Sequence, residues 1–167
     1  MFNIAFILHK SITNKQLAEI ISIKSIAWPH NFDSQLDWIN SNIKDEDIHA
    51  LLFLNESLIA YLNLIEIEFK LDGKKKKGYG IGNVCVKEKG KGWGKEIMTK
   101  TNLYLAKKKI IGLLFCKSSL VNFYSLNNCL LIDKQNVTLA FDNKLIETMI
   151  FNSCEDFHNI EYLGKPF

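Results

Sequence analysis

Arginine is missing from this sequence: all 21 basic residues are lysine. A site that would elsewhere use the planar guanidinium fork must work here with a point charge. No apolar stretch approaches the roughly 18 residues a membrane-spanning helix needs. The N-terminal run Phe2–Leu8 is too short for a secretion signal, and no basic segment precedes it. No Cys-x-x-Cys pair occurs among Cys85, Cys116, Cys129 and Cys154, and none has a histidine at metal-ligand spacing. The expectation is four reduced thiols, mostly buried, and no metal. With 47% apolar and 23% charged residues, disordered and fibrous classes are excluded. A length of 167 residues predicts a single soluble, cytosolic domain over 1–167, with 153–167 a tail of undetermined structure.

The formal charge of +3 hides a segregation. Residues 1–72 carry 5 lysines against 10 acids, residues 73–118 carry 13 against 2, and residues 119–167 carry 3 against 6. A basic centre between acidic flanks suggests an anionic ligand on the middle segment and a cationic one elsewhere. Nucleic acid is disfavoured, because the flanks would repel a phosphate backbone. Lys74–Lys77 reads as a solvated hairpin tip.

Periodicity predicts the elements. Phe2–Leu8 is a buried strand. Thr13–Ile26 is helical, ended by Trp28-Pro29. Asp33 is placed to cap a second short helix through Ile43. Ile48–Leu54 and Leu58–Phe69 form a hairpin about Asn55-Glu56-Ser57. Asp72-Gly73 and the lysine run make the next turn, and Gly80–Val86 is the following strand. A helix then runs to about Lys109, followed by a strand at Ile110–Cys116 and a short helix through Leu126. Late strands fall at Cys129–Ile132, Val137–Phe141 and Leu145–Phe151. The fold class is α/β or α+β: a mixed, mostly antiparallel sheet of six to seven strands with about four helices on its faces.

The informative segment is the glycine-rich turn after Gly80–Val86. In Lys89-Gly90-Lys91-Gly92-Trp93-Gly94-Lys95 the glycines let backbone N–H groups face a ligand, and the start of the next helix adds partial positive charge. It is not a nucleoside-triphosphate loop: Lys89 stands where the first glycine belongs, and Glu96 follows Lys95. Nor is it a dinucleotide fingerprint, because Ile97 occupies the third glycine position.

These residues resemble the signature of the GNAT superfamily of acetyl-CoA-dependent N-acetyltransferases, Arg/Gln-x-x-Gly-x-Gly/Ala at a strand-to-helix turn. Lysine replaces the leading Arg/Gln. A second similarity is Phe123-Tyr124 on a short helix, although the Gly-Phe/Trp pair that usually comes after it is absent. The element order agrees along nearly the whole chain, and His49–Val86 looks like the matching stretch of aminoglycoside N-acetyltransferases. The resemblance implies that the N–H groups of Gly90, Lys91, Gly92, Trp93, Gly94 and Lys95 bind the coenzyme A pyrophosphate, with Lys89 alongside. It implies that Val84, Cys85 and Val86 pair with the pantetheine arm where the strand splays from Ile111–Cys116. Tyr124 is then the general acid. The implied partners are acetyl-CoA and a small-molecule amine, without nucleic acid or membrane, and a homodimer is left open.

The base is the weak point. Where the resembling enzymes carry a glutamate, this sequence has Gly82 beside Asn83. Glu66 and Glu68 share one face of the preceding strand and are candidate bases, although exposed hairpin carboxylates are the simpler reading. Asn83 could relay a water. His30 could line the acceptor pocket, and His49 reads as structural. A covalent acetyl-Cys route through Cys85 or Cys116 lacks an activating histidine. Trp93 reads as packing. The activity expected is acetyl transfer to a primary amine of a small cationic acceptor, directly in a ternary complex. The rivals are a peptide N-acetyltransferase and a non-catalytic acyl-CoA-binding module.

Overall fold

In the computed structural model, which describes all 167 residues, Thr13 starts the first helix by a reciprocal cap. Its hydroxyl accepts from the Gln16 N–H at 3.2 Å, and the Gln16 side chain accepts from the Thr13 N–H at 3.0 Å. The helix, α1 (Asn14–Ala27), stops at Trp28 ahead of Pro29. The second helix, α2 (Phe32–Asn42), is capped by Asn31 rather than Asp33. The Asn31 side chain reaches the Ser34 N–H at 2.8 Å, which leaves Asp33 inside the first turn, where its charge still favours the helix dipole.

Two compact units compose the chain: residues 1–65 with 82–101, and residues 66–81 with 102–167. In the first, β1 (Phe2–Leu8) pairs antiparallel with β2 (Ile48–Leu54), and β2 with the first part of β3 (Ser57–Leu71). Asn55 and Glu56 turn the hairpin with φ of 47° and 67°, the left-handed pair a tight hairpin twist requires. Ile20, Ile21 and Ile23 of α1 and Ile39 of α2 bury against Leu51, Leu58, Tyr61 and Cys85. The end of β4 (Lys74–Val86) and the start of α3 (Trp93–Lys108) complete this unit.

In the second unit, β4 pairs in parallel with β5 (Ile111–Cys116) through Gly78–Gly80 and Ile111–Leu113. After α4 (Val121–Ser125) come β6 (Leu130–Ile132), β7 (Val137–Leu139), β8 (Glu147–Phe151) and β9 (Ile160–Tyr162). β8 lies antiparallel to both β5 and β6, and β9 pairs with β3 and β7. The strands belong to one mixed, mostly antiparallel sheet of nine, more than the six to seven expected. The strand that the sequence did not show is β9, three residues long, too short to display a period, and held only by its distant partners β3 and β7.

The expected role of the lysine run needs correction. The hairpin tip is Asp72-Gly73 alone, with φ of 47° and 77°. Lys74–Lys77 begin β4, where Lys76 pairs with Glu155 and Lys77 with Glu68. The segment 153–167, whose structure the sequence leaves undetermined, contains β9 and packs back on the second unit. The Asp72 carboxylate accepts from the N–H groups of His158 and Asn159, which hold it below its ordinary pKa. Phe167 lies against Gly80, where a Cβ would sit 2.6 Å from its ring. The same ring meets Phe115 at 4.8 Å and Tyr162 at 5.7 Å. No helix is long and apolar enough to cross a membrane.

Candidate active site

The glycine-rich turn has the backbone form its composition predicts. Gly90 and Gly92 have φ of +81° and +77°, and a Cβ at either would meet nothing within 4 Å. They are glycines for backbone conformation, not for lack of space. Lys87–Gly92 are all exposed, so no side chain buries the turn. α3 begins at Trp93, and the Gly92 carbonyl accepts its first helical bond from Glu96 at 3.0 Å. The N–H groups of Trp93, Gly94 and Lys95 therefore belong to the first turn, which has no intrahelical acceptors for them. Lys89, Lys91 and Lys95 add exposed positive charge, offset at one point by a 3.3 Å Glu88–Lys91 pair. The arrangement suits a diphosphate. Trp93 is half-buried at the helix start.

The strand entering this turn is kinked at Asn83, whose φ is +53°. Asparagine tolerates that region better than most residues. Its Nδ2 donates to Asn63 Oδ1 at 3.0 Å. Val84 and Val86 are half-buried, and Cys85 is buried. Burial pushes the Cys85 thiol up to about 12, against the pull of Lys24. It is a neutral thiol at physiological pH, which weighs against a thiolate nucleophile there.

Tyr124 sits on α4 in the second unit, 7% exposed, its ring edge-on to Phe123 at 4.9 Å. Burial, and then the Cys116 and Cys129 thiols, raise its pKa above the ordinary phenol value. The hydroxyl is a proton donor at every physiological pH. Cys116 and Cys129 are themselves pushed up to about 11 and 12, mainly by burial. Asn102 Nδ2 donates to the Asn127 carbonyl, and Asn127 Nδ2 to the Phe123 carbonyl at 2.8 Å, which pins the turn carrying Tyr124. Glu66 and Glu68 are exposed, and Glu68 faces Lys77 at 3.7 Å. His30 is exposed in the loop between α1 and α2, with its N–H on the Trp28 carbonyl.

Two features of the first unit are not apparent from sequence. Lys24 is 2% exposed, its ammonium 3.9 Å above the Trp38 ring. Burial lowers its pKa to about 8. The available signal was its place four residues after Ile20, on the apolar stripe of α1. The second is a line of rings: His9 Nδ1 to His49 Nε2 at 2.9 Å, and His49 Nδ1 to the Tyr61 hydroxyl at 2.9 Å. His49 and Tyr61 are fully buried. Burial, His9 and Lys24 lower the His49 pKa to about 3, so it stays neutral.

No protein-family model and no curated protein sequence matches the chain. Solved structures do. ElaA of Escherichia coli superposes with a TM-score of 0.65 at 19% identity, over 90% of this chain and 99% of that one. An acyl-CoA N-acyltransferase from Pseudomonas aeruginosa gives 0.64 at 16% identity, over 90% and 99%. A GCN5-related N-acetyltransferase from Kribbella flavida gives 0.60 at 16% identity, over 77% of this chain and 34% of that one. The fold is that of the GNAT N-acyltransferases.

Proposed function

We propose that the chain is an acetyl-CoA-dependent N-acetyltransferase that acts on a primary amine of a small, cationic acceptor by direct transfer in a ternary complex. One observation carries the reading: the Gly90 and Gly92 turn, exposed and left-handed, opens onto the start of a sixteen-residue helix. In this reading the N–H groups of Gly90–Lys95 take the pyrophosphate, and Lys89, Lys91 and Lys95 supply the charge an arginine fork would supply elsewhere. Val84–Val86, past the last residue of β4 that pairs with β5, take the pantetheine amides. The acidic composition of residues 1–72 and 119–167 favours a cationic acceptor.

The bound coenzyme supplies the activated acetyl thioester, and the chain supplies position and protons. The protonated Tyr124 hydroxyl donates to the leaving thiolate. Asn83 orients a water beside the acceptor, and Glu66 and Glu68 remain the candidate bases on β3.

Thermal melting tests the coenzyme site. At 100 times its Kd, acetyl-CoA should stabilise the protein by about 2.7 kcal/mol, a rise of roughly 5–10 °C for a chain of this size. An unmoved midpoint would sink the proposal. Release of free thiol in the presence of an amine panel then separates the enzyme from a non-catalytic acyl-CoA binder, the reading favoured by Gly82 in place of a carboxylate.

Gly92→Val should leave the free protein's melting midpoint within about 2 °C, because the turn is exposed and free to relax. A β-branched residue at a φ of +77° costs about 1–3 kcal/mol in the binding geometry. Acetyl-CoA affinity should therefore fall roughly 10- to 100-fold, as read by calorimetry.

A further inference from the structure

The line of rings in the first unit has two distinct ends. His9, half-buried after β1, is the end nearer solvent. His49 and Tyr61 are 0% exposed. At the inner end, Asn63 lies two residues from Tyr61 on the same face of β3, directly across from His49 in the β2–β3 register. Asn63 is also fully buried, and its Nδ2 has no hydrogen-bond partner within the protein. A buried donor of this kind calls for a water or a ligand acceptor. Its other amide atom is held by Asn83, on the strand that leads into the glycine-rich turn.

Resting on the acetyltransferase reading, we infer that His9, His49 and Tyr61 form a proton relay that carries the acceptor amine's proton from the Asn63–Tyr61 end to solvent at His9. The line supplies the base that Gly82 does not. In the resting arrangement the Tyr61 hydroxyl donates to His49 Nδ1, and His49 Nε2–H donates to His9 Nδ1. The ammonium proton passes, through the water that Asn63 holds, to the Tyr61 oxygen as that oxygen releases its own proton to His49 Nδ1. His49 Nε2–H moves to His9 Nδ1, and the His9 imidazolium loses Nε2–H to bulk water. One proton enters and one leaves, no buried group keeps a charge, and both rings end in the opposite tautomer, from which the hydrogen-bonded line must revert before the next turnover. The groups facing His49 are His9 after β1, Tyr61 on β3 and Lys24 on α1. Cys85 on β4 faces Tyr61 and Lys24. Burial, His9 and Lys24 keep His49 neutral, so that it passes a proton on rather than storing one.

The test is kinetic and spectroscopic, on the full chain. His9→Ala should lower kcat about 10-fold at pH 7 with the amine KM and the acetyl-CoA melting shift unchanged, and millimolar imidazole should restore most of the loss. His49→Gln should show the same fall without rescue, because no imidazole reaches a fully buried site. In the unliganded protein, nitrogen NMR should show a neutral His49 with its proton on Nε2. An unchanged kcat in His9→Ala, or a fall that imidazole does not reverse, overturns the relay while leaving the acetyltransferase reading intact. A His49 ring that is charged at pH 7, or that carries its proton on Nδ1, overturns it as well. A wild-type chain that neither binds acetyl-CoA nor releases thiol defeats the acetyltransferase reading instead, and the relay with it.

Discussion

Tyr124→Phe is expected to lower kcat by about 10²-fold, with little change in the amine KM or in coenzyme affinity. An alkyl ammonium of pKa ~10.4 must first lose a proton, at close to 5 kcal/mol at pH 7. Collapse of the tetrahedral adduct then expels a thiolate whose acid has a pKa near ~8.5. Such a group can leave unaided, so the acid is helpful rather than indispensable, which sets the ceiling on the effect. The donor must still be protonated when needed. Burial, Cys116 and Cys129 all push the Tyr124 hydroxyl toward its protonated form. The acid therefore contributes no falling limb to the pH–rate profile below about pH 10. The ring stays in place in the variant, since its edge-on contact with Phe123 does not involve the hydroxyl. Steady-state rates with a competent amine, and single-turnover rates at saturating acetyl-CoA, provide the measurement. A turnover equal to wild type would remove Tyr124 from the chemistry.

The second large effect is on stability. Lys24→Met should make the protein more stable at pH 7 by ~2 kcal/mol, an unusual outcome for a substitution in a core. An ammonium held at 2% exposure has lost its hydration, and Ile20, Ile21, Ile23 and Ile39 of the same cluster give nothing back. Displacement of its pKa from 10.5 to about 8 corresponds to ~3 kcal/mol at face value. The Trp38 face and residual hydration reduce that figure. Methionine has nearly the same volume and flexibility, so the packing survives. The sign with pH is set by proton binding. Between about 8 and 10.5 the unfolded chain holds this proton and the folded chain does not, so folding is favoured as pH rises through that window. Below about pH 8 both states are charged and the penalty is in full force. The advantage of Lys24→Met should thus be constant below about pH 8 and vanish above about pH 10.5. Urea midpoints at about pH 7, 9 and 10.5 would show it. A variant no more stable than wild type at pH 7 would mean that Lys24 finds compensation as a cation.

What the chain determined by itself is whatever a few adjacent residues decide. Thr13 with Gln16 starts α1, Trp28-Pro29 stops it, Asn55-Glu56 turns a hairpin, and Gly90 and Gly92 shape the turn before α3. In each case a dihedral preference or a neighbouring hydrogen bond settles the local conformation without help from distant residues. The GNAT fold was legible on those marks and on the element order. Tertiary structure alone decided the rest, because the deciding partner is far away in sequence. Lys24 is buried with its ammonium over Trp38 of α2 and within electrostatic reach of Cys85 of β4, both distant from it in sequence. His49 is a ring in a line, not an isolated core residue, only because His9 directly follows β1 and Tyr61 stands across from Leu51 in the β2–β3 register. The short strand β9, and the seating of Phe167 on Gly80, likewise exist through contacts that no run of neighbouring residues encodes. Local geometry is written in adjacent residues, whereas burial and charge depend on which segments the completed sheet and its helices bring together.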